Sequence, residues 1–347
     1  MNKKVYEICS KTKISNDLAR HEVPLIQLTD LQKDMFMYLC VKAVENVEKN
    51  NLPFESTIEL SMKDFFSYSS RSNFLKENEA NKNLYRQELL GLFKKTFYIS
   101  TEQYLDYYHY IDYIHIDKET YVIKASLSTK IKDLAYKTVE GYTQIEFGNY
   151  AALRKKYSKD LYKYLRSYLV CKHHSISIEK LYDILNVEED SIYRTNIKEF
   201  KRWVLMPAIE EINKKTDINV RGLYNVYEEL YEKMLEKKGK ENITEKDKLK
   251  MTIDSITLKE DEKRNGKVKG FEFIIEAKPF EERYSYVKNQ KLRKQLIENA
   301  KKQQTFTKKQ KAVEAILRDS GVDEAELYEY AKMLVELKER SERNKRK

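Results

Sequence analysis

Arg194, Lys198, Lys201 and Arg202 carry the most informative chemistry in this chain, because four cations at spacings of four, three and one could meet phosphate oxygens and base edges. On a 3.6-residue repeat they fall roughly opposite Ile197, Phe200, Trp203, Val204 and Ala208. One face of a helix would then pack while the other offers positive charge. Glu210 and Glu211 follow, so the charge is confined to the first turns, the part of a recognition helix that enters a DNA groove. Other reactive constellations are weaker. His109, Asp112, His115 and Asp117 alternate such that both histidines would share a strand face and could ligate a metal, but with no further acidic partner and no catalytic context they read as solvent-side polar residues of a hairpin. His173 and His174 are adjacent, without the one-residue spacing of a metal-dependent strand-nicking site.

The helix to position the four cations should run over Tyr193–Val220. Thr195 or Asn196 supplies an N-cap oxygen for an orphan backbone N–H, with Glu199 three residues past Asn196. Pro207, lacking an N–H, should bend this helix near Trp203. Upstream, Leu153, Tyr157, Leu161, Tyr164, Leu165 and Tyr168 recur at threes and fours and predict a core helix over Asn149–Val170. Between these helices lie a short strand at Ser175–Ile178, a short helix at Glu179–Leu185 and a polar connection at Asn186–Ser191. Short helix, turn and basic helix make a helix-turn-helix. Downstream, MTIDSITL and VKGFEFIIEA alternate around Asn265-Gly266 and predict a hairpin whose tip holds Arg264, Lys267 and Lys269, a basic wing beside the helix.

The first half repeats this order. Thr29 caps a helix to about Lys49 with Leu31, Met35, Leu39, Ala43 and Val47 along one side. Ser56–Ser61 reads as a strand, Met62–Tyr68 as a short helix and Asn83–Phe97 as a longer helix bearing Arg86, Lys94 and Lys95. Tyr98–Ile116 and Tyr121–Ser128 then form a second hairpin around Asp117–Glu119. The implied class is α+β: two tandem winged-helix domains over 23–147 and 148–280, after an N-terminal arm at 1–22, with a charged insert at about 226–250 and a basic helical tail at 281–347.

These segments resemble the initiator replication proteins of theta-replicating, iteron-containing plasmids. The likeness rests on Lys159–Leu165 (KDLYKYL) and on YRTNIKEFKRWVLMPAIEEINKKTDI, where Phe200, Val204, Leu205, Pro207, Ala208, Glu211, Ile212 and Asn213 fit the pattern. It covers about Val23 to Phe280 and departs at the insert, where a shorter link is expected. It implies a second domain that reads double-stranded origin repeats in the major groove. It also implies a first domain that adds DNA contacts in a bound monomer and supplies the interface of a homodimer in equilibrium with it. Arg194, Thr195, Asn196, Lys198, Lys201 and Arg202, the wing residues, and Arg86, Lys94 and Lys95 would touch DNA. Opening of an A/T-rich segment, recruitment of a host helicase or its loader, and autorepression are further implications. The alternative is a winged-helix transcriptional regulator binding an inverted operator as a dimer; a strand-nicking relaxase is a more distant one.

Composition agrees with a polyanion partner. The 347 residues hold 66 Lys and Arg against 56 Asp and Glu, a net charge of +10 that favours DNA through counterion release. Cys9, Cys40 and Cys171 are widely separated, so neither a disulfide framework nor a zinc site is expected, and the sequence calls for no metal or other cofactor. Neither G-x-x-x-x-G-K-[ST] nor G-x-G-x-x-G occurs, which argues against a nucleotide motor or dehydrogenase and for a non-enzyme. No apolar run approaches a membrane span and no signal peptide opens the chain, so a cytoplasmic protein is expected.

Overall fold

The computed structural model describes residues 11–15, 19–20, 25, 27–50, 57–60, 62, 65, 79–100, 103–117, 119, 122–136, 142–259 and 268–283, with single positions 290, 293, 294, 297, 298, 301, 305, 309 and 335. Ser10–Tyr286 form one compact unit; Met1–Cys9 with Val287–Lys347 form another, in which every described residue is helical and Val335 is buried. The two tail helices expected around 312–317 and 325–337 otherwise lie outside the described residues.

Within Ser10–Tyr286, α1 (Asp30–Asn50) is the central helix of the first winged domain. Its start is closed by a reciprocal capping box: the Thr29 hydroxyl accepts from the Gln32 N–H and the Gln32 amide oxygen accepts from the Thr29 N–H, both at 3.2 Å. Leu31, Met35, Leu39 and Ala43 are buried as their spacing requires, and so are Phe36, Met37, Tyr38 and Cys40, so α1 is covered on nearly all sides. There follow β2 (Ile58–Leu60), helical and buried Met62 and Phe65, and α2 (Glu79–Phe93), which buries Tyr85, Leu89 and Leu92. The expected single strand from Tyr98 to Ile116 is instead three: β3 (Thr96–Ser100), β4 (Leu105–His109) and β5 (Ile111–Ile116). Tyr110 turns the chain inward, its ring 5.4 Å from Phe36 and 5.0 Å from Phe97, and so ends β4. Phe97 is buried in that cluster, which is why α2 stops before it. His109 and His115 consequently stand on separate strands of separate sheets, since β3 pairs with β4 while β6 (Ile123–Leu127) pairs with β2 and β5. After α3 (Thr129–Tyr136), β7 (Tyr142–Glu146) pairs antiparallel with β1 (Lys11–Ser15), tying the N-terminal residues to the chain about 130 residues on.

After β7 come α4 (Phe147–Ala152) and α5 (Ser158–Ser167), not the single helix that the apolar spacing predicts. The interruption has a distant cause. The buried Glu211 carboxylate accepts the backbone N–H of Arg154 at 3.0 Å and of Lys155 at 2.8 Å, bonds a continuous helix would have used internally. Then come β8 (His173–Ser177), α6 (Ile178–Ile184), α7 (Ile192–Thr195), α8 (Ile197–Phe200), a π-helical turn (Lys201–Leu205), α9 (Met206–Lys215) and β9 (Ile218–Arg221). The insert folds as α10 (Tyr224–Lys238), a 3₁₀ turn (Lys240–Asn242) and α11 (Glu245–Ser255), the hand-over at Gly239 requiring a φ of 74° that favours glycine. MTIDSITL, expected as a strand, begins inside α11: a Thr244–Asp247 capping box starts the helix, and Met251 and Ile253 are buried as it continues. Only β10 (Thr257–Lys259) remains to pair with β11 (Val268–Ala277). β11 is central, pairing with β8 along one edge and with β10 and then β9 along the other.

Helix α1 faces α5 through buried charge. Lys33 pairs with Asp160 at 2.8 Å and Lys159 with Asp34 at 2.7 Å, all four almost inaccessible. Lys163, fully buried one turn further along, has its pKa lowered by burial to about 8. The KDLYKYL segment is therefore packed on α1 through buried ion pairs.

Candidate nucleic-acid interface

Asn196 sets the start of the recognition element. Its backbone is extended (φ −123°, ψ 94°) and its side-chain oxygen accepts from the N–H of Lys198 at 3.1 Å and of Glu199 at 3.4 Å. Asn196 is thus the cap, while the Thr195 hydroxyl donates to the Ile192 carbonyl at 3.2 Å. From Ile197 to Lys215 the chain stays helical, so the expected Tyr193–Val220 helix is shortened at both ends. Pro207 leaves its mark near Trp203 as a π turn. In an α-helix the proline ring would press on the Trp203 carbonyl four residues back; the π turn removes that conflict, with the Met206 N–H donating to the carbonyl of Lys201, five residues back.

Phe200, Val204, Leu205, Ala208, Ile209 and Ile212 form the buried face. Phe200 meets Tyr182 of α6 edge-on at 4.8 Å and Phe271 of β11 at 6.0 Å, which locks helix-turn-helix and sheet together. Asn213 accepts the Val220 N–H at 2.7 Å and donates to the Val220 carbonyl at 2.9 Å, pinning β9 to α9. Trp203, expected on this face, is 53% exposed instead, and its indole N–H donates to Glu199 at 2.6 Å. The wider π turn rotates it out of the apolar stripe.

The four cations divide into two pairs. Arg194 turns back toward the helix-turn-helix: its Nε donates to the Val187 carbonyl at 2.9 Å, a guanidinium N–H reaches Asp183 at 3.4 Å, and the group lies 5.2 Å over the Tyr182 ring. Lys201 is bound to Asp254 of α11 at 2.7 Å. Lys198 and Arg202, one turn apart, are exposed, and the Arg202 guanidinium sits 4.9 Å from the Trp203 ring. The outward ridge is therefore Lys198, Arg202 and Trp203, the last of which the apolar spacing had assigned inward. Lys180, exposed on α6 just past its Ser177 cap, is a second cation that the spacing argument passed over.

On the wing, Lys269 is exposed near the start of β11, while Arg264 and Lys267 lie outside the described residues. In the first domain Arg86 is exposed on α2 and donates to Asn83 at 2.8 Å. Lys94 and Lys95 follow the C-terminal end of α2, where helix carbonyls attract cations. Elsewhere in the second domain His174 stacks on Tyr168 at 3.6 Å and lies 2.7 Å from the Tyr164 hydroxyl; burial, then the charges of Arg20 and His173, lower its pKa to about 4. Among the described residues no group of three or more His, Cys, Asp and Glu is placed to hold a metal ion. Nor is any described helix long and apolar enough to cross a membrane.

Comparison with known proteins agrees with this architecture. The family model described as "Initiator Replication protein, WH1" matches residues 11–166, and "Initiator Rep protein, WH2" matches residues 177–275. No curated protein matches the chain. A solved structure titled "Crystal structure of Pi initiator protein in complex with iteron DNA" is similar in fold, with a TM-score of 0.52 and 16% identity over 80% of this chain and 99% of that one. With both matched segments laid over its two winged domains, the chain belongs to the family of initiator replication proteins.

Proposed function

We propose that this initiator acts by binding directly repeated double-stranded sites at a replication origin, with the second domain reading the major groove through Lys198, Arg202 and Trp203. The carrying observation is the exposed ridge of those three residues on the first turns of a helix whose reverse side is anchored by Phe200 and Val204. Arg194 and Lys201 serve as positioning residues: one braces the turn before the helix, the other ties the helix to α11. Lys269 with Arg264 and Lys267 would meet phosphates from the wing, and Arg86, Lys94 and Lys95 would add weaker contacts from the first domain. The Pi initiator's complex with iteron DNA supports the choice of repeated sites as ligand.

On this reading the boundaries fall near residues 22, 147 and 280, and the protein works in the cytoplasm, exchanging between a homodimer and a DNA-bound monomer. It distorts or helps open an adjacent A/T-rich segment and recruits the host helicase or its loader. Binding, not bond making or breaking, does the work. Footprinting on the DNA flanking the gene tests this. Protection of direct repeats about two helical turns apart is expected; protection of a single inverted repeat would assign the chain to transcriptional regulation instead.

A further inference from the structure

Trp203 stands on the outward ridge with its one polar group already engaged. An indole carries a single N–H donor and no acceptor, and that N–H donates to the Glu199 carboxylate at 2.6 Å. What the ring can still offer a partner is apolar surface. The flanking residues restrict that partner, because Lys198 and Arg202 are exposed beside Trp203 and the Arg202 guanidinium lies 4.9 Å from its ring. A group that covers the indole must therefore belong to something that also accepts two cations. DNA meets both conditions at one place: in the major groove, thymine presents a C5-methyl group among the acceptors of its neighbours.

Glu199 is otherwise hard to explain on this surface. A carboxylate on α8, between two cations suited to phosphates and base edges, is repelled by the duplex. Its one evident task is the Trp203 hydrogen bond, made across a single helical turn. With that acceptor removed, the indole N–H would be free to turn toward the N7 and O6 acceptors of purines, and a thymine would hold no advantage. The π turn completes the arrangement, since it is what swings Trp203 out of the apolar stripe and onto the ridge.

We infer that Trp203 reads thymine, its ring covering the C5-methyl group, and that Glu199 is the positioning residue that holds the indole in that attitude by occupying its N–H. This rests on the reading of the second domain as a binder of the major groove. The Arg202 guanidinium against the same ring places the thymine next to the base pair that Arg202 meets.

The test uses the full chain on three duplexes: one footprinted repeat, the same repeat with every thymine replaced by uracil, and a scrambled sequence. Uracil deletes the methyl group and leaves the pairing edge intact. The parent is expected to bind the uracil repeat more weakly by about fourfold for each methyl group that the ring covers. Trp203→Ala should bind thymine and uracil repeats alike, Glu199→Ala should lose most of the difference, and Glu199→Gln, whose amide oxygen can still accept from the indole, should keep it. Trp203 is the one tryptophan of the sequence, so its fluorescence reports this side chain alone, and the thymine repeat should shield it from acrylamide quenching. A parent that prefers the repeat over the scrambled duplex yet binds thymine and uracil forms equally overturns this inference alone. So does a Trp203→Ala variant with the parent's thymine preference, or a Trp203 that the repeat leaves as open to acrylamide as in the free protein. A Glu199→Ala variant that keeps the full preference removes Glu199 from the account. A parent with no preference for the repeat over the scrambled duplex overturns the groove reading itself, and this inference with it.

Discussion

Replacing Arg194 with Ala separates a brace from a contact. The side chain is 22% exposed and delivers a charged hydrogen bond to the Val187 carbonyl at 2.9 Å, closing the turn that precedes the recognition helix. A hydrogen bond from a charged donor contributes about 1.5–3 kcal/mol. The guanidinium at 5.2 Å over Tyr182 adds about 0.5–1 kcal/mol at a partly exposed site. The ion pairs to Asp183 and Glu179 add little, since those carboxylates are 62% and 75% exposed. The expected loss is about 2–4 kcal/mol, read by denaturant unfolding of the second domain. DNA affinity should fall only as far as the folded population falls, and be regained at lower temperature. If Arg194→Ala is as stable as the parent yet no longer binds DNA, Arg194 is a contact residue and the bracing argument is refuted.

Three further perturbations probe the scaffold. Lys163→Met should stabilise the protein at neutral pH by up to about 3 kcal/mol, because burial that lowers the lysine pKa from 10.5 to about 8 penalises its charged form. In the parent, stability should rise as pH climbs from about 8 toward 10.5, where the unfolded chain still holds the proton that the folded one has released; unfolding midpoints of Lys163→Met should lack that rise. Acid acts on His174 in the same sense: with a folded pKa of about 4 against 6.5, its contribution is complete above pH 6.5 and lost as pH falls toward 4, and His174→Phe should flatten the stability profile there. Glu211→Ala removes the acceptor of the Arg154 and Lys155 N–H groups and should cost about 3–5 kcal/mol by chemical denaturation; a loss under about 1 kcal/mol would show that the α4–α5 break is held by something else.

Local signals made much of this architecture legible. Thr29 with Gln32 and Asn196 with its following N–H groups mark helix starts through contacts within three residues, and threefold and fourfold apolar spacing finds the buried face of α1 and of the recognition helix. What escaped was set by distant partners. Glu211 breaks a helix at Arg154, 57 positions away, and Asp254 takes up Lys201 across 53. No periodicity carries those pairings. Trp203 was misplaced for a subtler reason: a 3.6-residue wheel assumes a uniform helix, and Pro207 imposes a π turn that shifts the phase. The KDLYKYL segment could be matched to a family, yet charge alone would put Lys159 and Lys163 in solvent; only the packing of α1 on α5 places them inside.

The most direct measurement is the affinity of the full chain carrying Lys198→Ala and Arg202→Ala for a duplex bearing one footprinted repeat, against a scrambled duplex at the same salt. Both side chains are exposed, so circular dichroism and unfolding should match the parent. Removing a side chain that reads a base edge costs about 1–3 kcal/mol, and the preference for the repeat should disappear. A double variant that still protects the repeat with parental affinity would contradict the assignment of that helix to the DNA groove.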